Sequence, residues 1–440
     1  SRGLGDVYKR QSQTSGAPGA DDASIYIRGR ATFAGDAQPL ILVDGVERSF
    51  SQIAPDDIET ISVLKDASAT AVYGVRGANG VMLITTKRGK EQKPIVNLTA
   101  SWQFQTPTRK DTYLNSYQSV SLLEEALAND GLPSQYSSYD LDMYQKSVNG
   151  QLSGVEALLY PNVDWYDEIL RSSAPSQRYN ASVRGGTKRM RYYASLEYYD
   201  QESLFKNLSN DPYGNSTSLN YKRYGFRANA DFFLTKDLQL SVNFGTRFEE
   251  RRGPNSDERD DGSYSNVFYQ LNHTPGWLFP VAYEVQNGET TKTLYGGSSQ
   301  YQSNVYATLA ESGYYKGVNT VNETNFIADY KMDWLTPGLS ARGMVSFDYE
   351  NYHKTTYSKS FATYELNDRN NYQSIDAYNR FNTDGTMTSS KTSFTVYKLY
   401  MEAQLNYARK FADLHDVTAM VLYMQNDYCL LYTSPSPRDG

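Results

Sequence analysis

From Gln92 onward, apolar and polar side chains alternate with the period of a β-strand. Val96, Leu98, Ala100, Trp102 and Phe104 share one face, and Asn97, Thr99, Ser101 and Gln103 share the other. Phe226, Ala228, Ala230, Phe232 and Leu234 oppose Arg227, Asn229 and Asp231. Leu238, Leu240, Val242 and Phe244 oppose Gln239, Ser241, Asn243 and Arg247. Phe326, Ala328, Tyr330, Met332 and Trp334 oppose Asp329, Lys331 and Asp333; Leu399, Met401, Ala403, Leu405 and Tyr407 oppose Tyr400, Glu402, Gln404 and Asn406. A face carrying Arg, Asp, Lys and Glu does not suit the dry core of a sandwich. It suits the wet interior of a large barrel whose apolar face meets lipid.

The pattern predicts nine strands, at roughly 93–106, 176–187, 190–203, 221–234, 237–250, 322–335, 338–352, 397–411 and 415–428. Their connections alternate in length: long at 107–175, 204–220, 251–321 and 353–396, short at 186–189, 235–236, 336–338 and 412–414. Outer-membrane barrels show this alternation, with short periplasmic turns and long extracellular loops. The first long connection is not structureless. Val120, Leu123 and Leu127 stand at helical spacing within 116–129, with Gly131 as a stop, and the stretch 162–170, with Trp165 and Tyr166, precedes 172–186.

Residues 21–89 read differently, as a compact α+β unit. Short strands are expected at 24–28, 39–43, 60–64 and 81–86, with Asp44-Gly45 as a turn. Pro55-Asp56-Asp57 starts a short helix, its acids near the positive end of the helix dipole. Asp66 caps a small-residue helix over 67–73, and 77–80 forms a turn. Gly29, Gly45, Gly74, Gly77 and Gly80 are expected to serve tight turns.

Composition supports a barrel. Aromatic residues make up 14% of the chain and tyrosines alone number 39, yet hydrophobic content is only 39%. No apolar run reaches the roughly 18 residues of a membrane-spanning helix, whereas barrel strands need none. The net charge of −7 argues against a nucleic-acid partner bound through phosphates. Both ends carry a separate signal. One DNA string encodes residues 1–11, and its reverse complement in another frame encodes residues 429–438. This inverted repeat resembles a transposase adapter used in sequencing libraries. Residues 1–11 and 429–440 are therefore expected to be adapter-derived, and the natural segment, about 12–428, to be cut at both ends. Cys429, the single cysteine, then falls in the adapter, which removes disulfides, thiolate catalysis and cysteine-ligated zinc.

The run Ile25-Tyr26-Ile27-Arg28-Gly29, then Leu42-Val43-Asp44-Gly45-Val46, then 58–69 with Lys65-Asp66, resembles the plug of a TonB-dependent receptor. The stretch 71–81, with Arg76, Gly77, Asn79 and Gly80, and the stretch 84–89 extend the likeness, which is to the SusC/RagA type of Bacteroidota. Residues 162–186, 221–226 and 405–411 share it, and 251–321 and 353–396 do so more loosely. The resemblance implies a small α+β plug domain over 12–91, followed over 92–428 by the start of an antiparallel transmembrane β-barrel: nine strands of about 22. Nine strands cannot close such a barrel, so an open curved sheet with two unpaired edges and frayed termini is expected. The resemblance also implies a TonB-type energy coupler in the periplasm, a SusD-type surface lipoprotein, and a glycan ligand more often than a peptide. Siderophore or vitamin uptake is the rival within the class. A non-transporting adhesin or structural barrel is the rival outside it, and the plug argues against that one.

No catalytic constellation is found, and no cofactor is implied. His273, His353 and His415 are far apart and are read as loop or strand-end residues, not metal ligands. Glu124-Glu125 and Glu249-Glu250 are read as solvated charge, and residues 257–262 as a solvated turn whose spacing misses a Ca²⁺ loop. Arg28, Arg76, Lys87 and Arg88 either pair locally or join plug to barrel wall. Trp277 and Phe279, flanked by prolines in a long loop, are candidate ligand-stacking aromatics, with loop packing as the alternative.

Overall fold

The computed structural model describes residues 10–13, 18–19, 23–26, 39–50, 53–64, 71–77, 79–107, 112–209, 216–255, 265–411 and 415–433. A short antiparallel pair, β1 (Arg10–Gln13) and β2 (Ala23–Tyr26), stands apart from the plug sheet. That sheet holds β3 (Leu40–Val43), β4 (Val46–Glu47), β5 (Ile58–Leu64) and β6 (Val81–Thr86) in the order β4-β3-β6-β5. β3 and β6 run parallel, and Val43, Ile53, Met82 and Ile84 form the centre of its small core. Between β3 and β4, Asp44 (φ 50°) and Gly45 (φ 92°) both take left-handed backbone, as a two-residue hairpin with native twist requires.

Two local expectations change. Pro55–Asp57 is a 3₁₀ turn, and Ala71–Gly77 is a 3₁₀ segment kinked at Gly74, not a helix ending at Tyr73. Arg28, Gly29, Lys65 and Asp66 lie outside the described residues, as do the expected cap at Asp66 and residues 257–262.

The wall is one nine-stranded antiparallel meander: β7 (Gln92–Gln105), β8 (Ala174–Gly186), β9 (Met190–Glu202), β10 (Asn220–Phe233), β11 (Leu238–Pro254), β14 (Gly313–Lys331), β15 (Leu339–Ser358), β18 (Thr388–Phe411) and β19 (His415–Thr433). The nine expected strands are these nine. β7 and β19 are the two edges and do not pair with each other, and the expected fraying at the termini lies outside the described residues. Five strands rise further than their periodicity indicated. β14 begins at Gly313 and β18 at Thr388, while β11 runs to Pro254, β15 to Ser358 and β19 to Thr433, because ladder pairing continues where the apolar alternation has stopped. β14 stops at Lys331, so Met332 and Trp334 belong to a turn.

The two faces of this wall are inverted relative to a soluble protein. Leu98, Leu196, Phe326, Val345, Leu405 and Val421 are exposed, while Arg227, Asn229, Asp231, Glu323 and Asp348 are buried. Around the outer face runs an aromatic ladder, Trp102–Tyr179–Tyr198–Tyr224–Phe248, with ring centroids 5.6, 6.2, 5.2 and 6.3 Å apart across five consecutive strands. Tyr349 and Tyr397 form a further pair at 5.3 Å. A lower set, with Tyr330 and Phe411 exposed, lies toward the opposite strand ends. Along β10, Tyr224 and Phe232 are eight residues apart, about 20 Å of height at a strand tilt near 40°. That is the scale of a hydrocarbon band between two aromatic girdles.

The long connections fold together at one end of the wall. They contribute α1 (Ser116–Asn129), α2 (Ser138–Val148), α3 (Val155–Leu159), α4 (Trp165–Ile169), α5 (Ser265–His273) and α6 (Val305–Glu311). They also supply the hairpins β12 (Ala282–Asn287) with β13 (Thr290–Tyr295), and β16 (Thr363–Leu366) with β17 (Tyr378–Phe381). Trp165, Ile169, Leu219, Leu271, Phe279 and Leu309, drawn from three connections, share one apolar core. A second core joins Val285 and Leu294 to Tyr364 and Tyr378. The helix at 116–129 is as expected: Asn115 caps it with a full capping box, and Gly131 (φ 68°) follows it.

Candidate functional site

The chemistry of this chain lies where the plug sheet meets the polar face of the wall. The hairpin turn puts Asp44 under the end of β6, where its carboxylate accepts from Thr86 N (2.9 Å) and Thr86 Oγ1 (2.7 Å). Asn229 Nδ2 on β10 then donates to Thr86 Oγ1 (2.9 Å) and to the Lys87 carbonyl (2.7 Å). Arg88 Nη1 reaches Asp231 Oδ1 at 2.8 Å, and Ser241 Oγ donates to the same oxygen at 2.6 Å. The backbone is tight here: a Cβ on Gly89 would lie 2.1 Å from Tyr192 N, so only glycine lets the plug pass this close to β9.

Two further plug residues enter the wall as buried charges. Arg48, just past β4, donates through Nε to Asp348 Oδ2 (2.8 Å), and through Nη2 to Asn325 Oδ1 (2.6 Å) and Ser346 Oγ (3.0 Å). Asp57, at the end of the 3₁₀ turn, accepts from Tyr193 Oη (2.7 Å) and Ser195 Oγ (2.6 Å) and lies 3.6 Å from Arg227 Nε. These charges join a lattice already present in the wall. Glu323 pairs with Arg227 (3.6 Å) and Arg247 (3.2 Å), and Glu197 takes a two-pronged bond from Arg223 (3.1 and 3.0 Å). Buried charges persist only when paired and hydrogen-bonded in this way. Among the described residues, a small apolar cluster joins Val46 of the plug to Ile327 and Met344 of the wall.

The expected site residues divide. Arg88 joins plug to wall, and Lys87 does so through its backbone carbonyl. Arg76 instead pairs with Glu47 inside the plug, on exposed surface. Gly45, Gly74 and Gly80 take positive φ as turns require; Gly77 does not, its carbonyl accepting from Gly80 N at 3.0 Å. Asn79 lies in that turn. Arg48, Asp57, Asn229 and Asp348 join plug to wall with nothing in the sequence that marks them as a site. For Asn229 and Asp348 the sequence signal is a place on the polar phase of a wall strand, which shows that the residue points inward but not which plug residue it meets; Arg48 and Asp57 lie outside the strands and carry no such signal.

Two readings of side-chain environment are overturned. Phe279 is fully buried in the core shared by the long connections, packed 5.8 Å from Trp165, and cannot stack on a ligand. Flanking prolines mark a loop but not whether other loops cover it. Glu249 is buried, not solvated, and lies 3.3 Å from Arg247 Nε. Glu250 pairs with Arg252.

Trp277 is half-buried, and its carbonyl accepts from Tyr144 Oη at 3.1 Å. Tyr144 stacks edge-on with Tyr136 and Tyr160. Burial pushes the Tyr144 hydroxyl well up, and burial together with the Asp140 hydrogen bond pushes Tyr160 up to about 12. Glu124 is half-buried and structural: it accepts from Ser134 Oγ and from the amides of Gln135 and Tyr136, and its carboxyl is held below the usual range chiefly by the Ser134 bond. Among the described residues, no group of His, Cys, Asp and Glu is arranged to hold a metal ion.

A family model described as the TonB-dependent receptor plug domain matches residues 2–81. The TonB-dependent receptor P26 of Formosa agariphila is 30% identical over 309 residues, covering 65% of this chain and 28% of that protein. The TonB-dependent receptor SusC of Bacteroides thetaiotaomicron is 26% identical over 412 residues, covering 88% of this chain and 36% of that protein. Among solved structures, the RagAB peptide transporter superposes with a TM-score of 0.70 at 20% identity, over 98% of this chain and 46% of that one, a likeness of fold. The chain thus spans about a third of the curated relatives' length.

Proposed function

The chain belongs to the TonB-dependent receptors of the SusC/RagA type, proteins of the bacterial outer membrane, and we propose that its whole protein imports a nutrient through a barrel closed by a movable plug. The observation that carries this is the seat itself. Among the described residues, the plug meets the wall through charged and polar groups, with one small apolar cluster at Val46. Polar contacts exchange with water at little net free-energy difference, whereas dry apolar packing of the same area does not. A plug so held is secure at rest and displaceable under load.

The load comes from a TonB-type energy coupler pulling from the periplasm. A SusD-type lipoprotein covers the long connections. The cargo is an oligosaccharide, with a peptide as the second reading, and the exposed part of Trp277 takes part in ligand capture. Residues 12–91 act as the plug segment and 92–428 as the start of a barrel of about 22 strands. Charged plug residues such as Arg48, Asp57 and Arg88 hold the seat.

The test is uptake of labelled oligosaccharides and peptides by cells carrying the whole gene, with and without an active energy coupler. Coupler-dependent accumulation of oligosaccharide is expected. Accumulation that is indifferent to the coupler, or surface binding with no accumulation, would overturn the reading.

A further inference from the structure

Beyond the aromatic ladder the outer face of the wall becomes charged, and on one stretch of it the charge is cationic. Arg252 on β11, Lys316 on β14, Thr355 on β15 and Lys391 on β18 are register partners in turn, so they form one rung across four neighbouring strands. Arg252, Lys316 and Lys391 are all exposed. They keep the phase of Phe248, Phe326 and Leu405, the exposed apolar residues lower on the same three strands. Arg252 lies four residues beyond Phe248, about 10 Å of height at a strand tilt near 40°. That is the level of lipid headgroups, outside the hydrocarbon.

Among the described residues, one carboxylate reaches this rung. Glu250, two residues below Arg252, pairs with it and lies 3.9 Å from Lys316 Nζ. Toward β9 the patch ends, because the next cations are matched: Lys222 lies 3.7 Å from Asp200, and Arg171 lies 2.8 Å from Glu202. The side chains of Arg252 and Lys316 remain 51% exposed. Like charges directly opposite in a ladder repel, and Arg252 and Lys316 are such a pair. An anion placed between them turns that repulsion into charge-assisted contacts. The rung continues the lipid-facing surface upward, so the anion that the membrane itself delivers to this height is a lipid head.

We propose that this rung seats the phosphate-bearing headgroup of an outer-leaflet glycolipid, with Arg252, Lys316 and Lys391 as its cations. The acyl chains then lie along the apolar face below, past Phe248 and Phe326. The stacked pair Tyr314–Tyr357, with centroids 4.7 Å apart on the next rung outward, borders the head from outside. The inference is independent of import, since a barrel that transports nothing would hold the lipid equally well.

The experiment titrates the full-length receptor, stripped of bound lipid in detergent micelles, with bisphosphorylated lipid A and counts adducts by native mass spectrometry. The triple variant Arg252→Gln, Lys316→Gln, Lys391→Gln is expected to bind about a hundredfold more weakly than wild type. Dephosphorylated lipid A is expected to bind wild type as weakly as the phosphorylated form binds the variant. Excess inorganic phosphate, which has no chains to hold it, is expected to leave the lipid in place. Equal binding of lipid A by wild type and variant, equal binding of the two lipids by wild type, or displacement of the lipid by inorganic phosphate overturns the proposal. If the triple variant does not assemble, Lys391→Gln alone carries the same comparison, with about a fivefold loss expected. A photo-crosslinker at Thr355, in the middle of the rung, reports the occupant in whole cells. Adducts to glycolipid are expected, and adducts to protein alone overturn the proposal.

Discussion

Asp57 enters the wall with two short hydrogen bonds and a guanidinium 3.6 Å away. Replacing it by alanine removes the carboxylate that Tyr193 and Ser195 share in a buried site and one of the two carboxylates that Arg227 faces among the described residues. Asp57→Ala is therefore expected to weaken the seated plug by about 2 kcal/mol, read as increased protease cleavage of the plug in the intact receptor. A second residue-scale expectation concerns pH. The Glu124 carboxyl is held below its usual value in the folded cap. The sign follows: its contribution is fully present above the ordinary glutamate value and is lost as pH falls through the lowered folded value. Amide exchange at Gln135 and Tyr136 should accelerate in that acid window in wild type, and Glu124→Gln should remove the step.

At the scale of elements, the long connections behave as folded units. α1 is held at its start by the reciprocal Asn115–Gln118 capping box. Asn115→Ala is expected to destabilise it by about 1 kcal/mol, measured as faster exchange confined to the first turn. The cap as a whole depends on the apolar core shared by three connections. Phe279→Ala, which opens a cavity at the centre of that core, is expected to cost about 3–5 kcal/mol and to loosen all three together. If exchange rises only near residue 279, the connections do not fold as one body. Between the wall strands the short turns do little beyond setting register, and the ladders of β10 with β11, β14 with β15 and β18 with β19 run unbroken.

At the scale of the molecule, the decisive property is which face of the wall is dry. Leu240 lies on the lipid-facing phase of β11, and its chain neighbour Ser241 on the polar phase, bonded to Asp231. An arginine at position 240 meets hydrocarbon near mid-height. Leu240→Arg is expected to lower the stability of the inserted wall by about 2–4 kcal/mol, while Ser241→Ala, which removes one hydrogen bond, costs about 1 kcal/mol. Heat-modifiability on gels separates the two, and equal effects would mean that the apolar face does not meet lipid. The plug gives the other half of the picture. Its contacts reach from Arg184 on β8 to Asp348 on β15, so the wall wraps around it and does not merely lie beside it.

Much of this was legible in the amino-acid order, because strand periodicity is local. Which residue of each strand faces lipid follows from neighbours two positions away. The alternation of long and short connections then gives the meander, as β7 to β19 show. Turn chemistry is local too, so Asp44-Gly45 and Gly131 could be read without a fold. Contacts between distant segments could not. Arg48 meets Asp348 across 300 positions, and Asp57 meets Tyr193 across 136. No periodicity links such pairs, and each arginine or aspartate alone looks like surface charge. The same blindness made Phe279 look like a ligand contact and Glu249 look solvated, because burial of a loop or wall residue depends on what folds over it. The sequence by itself determined the strands, their faces and the kind of molecule they build. Only the tertiary structure decided which polar groups of the wall the plug engages. The physical reason is that hydrogen bonding and desolvation are properties of a place in space, and that place is assembled from residues the chain keeps far apart.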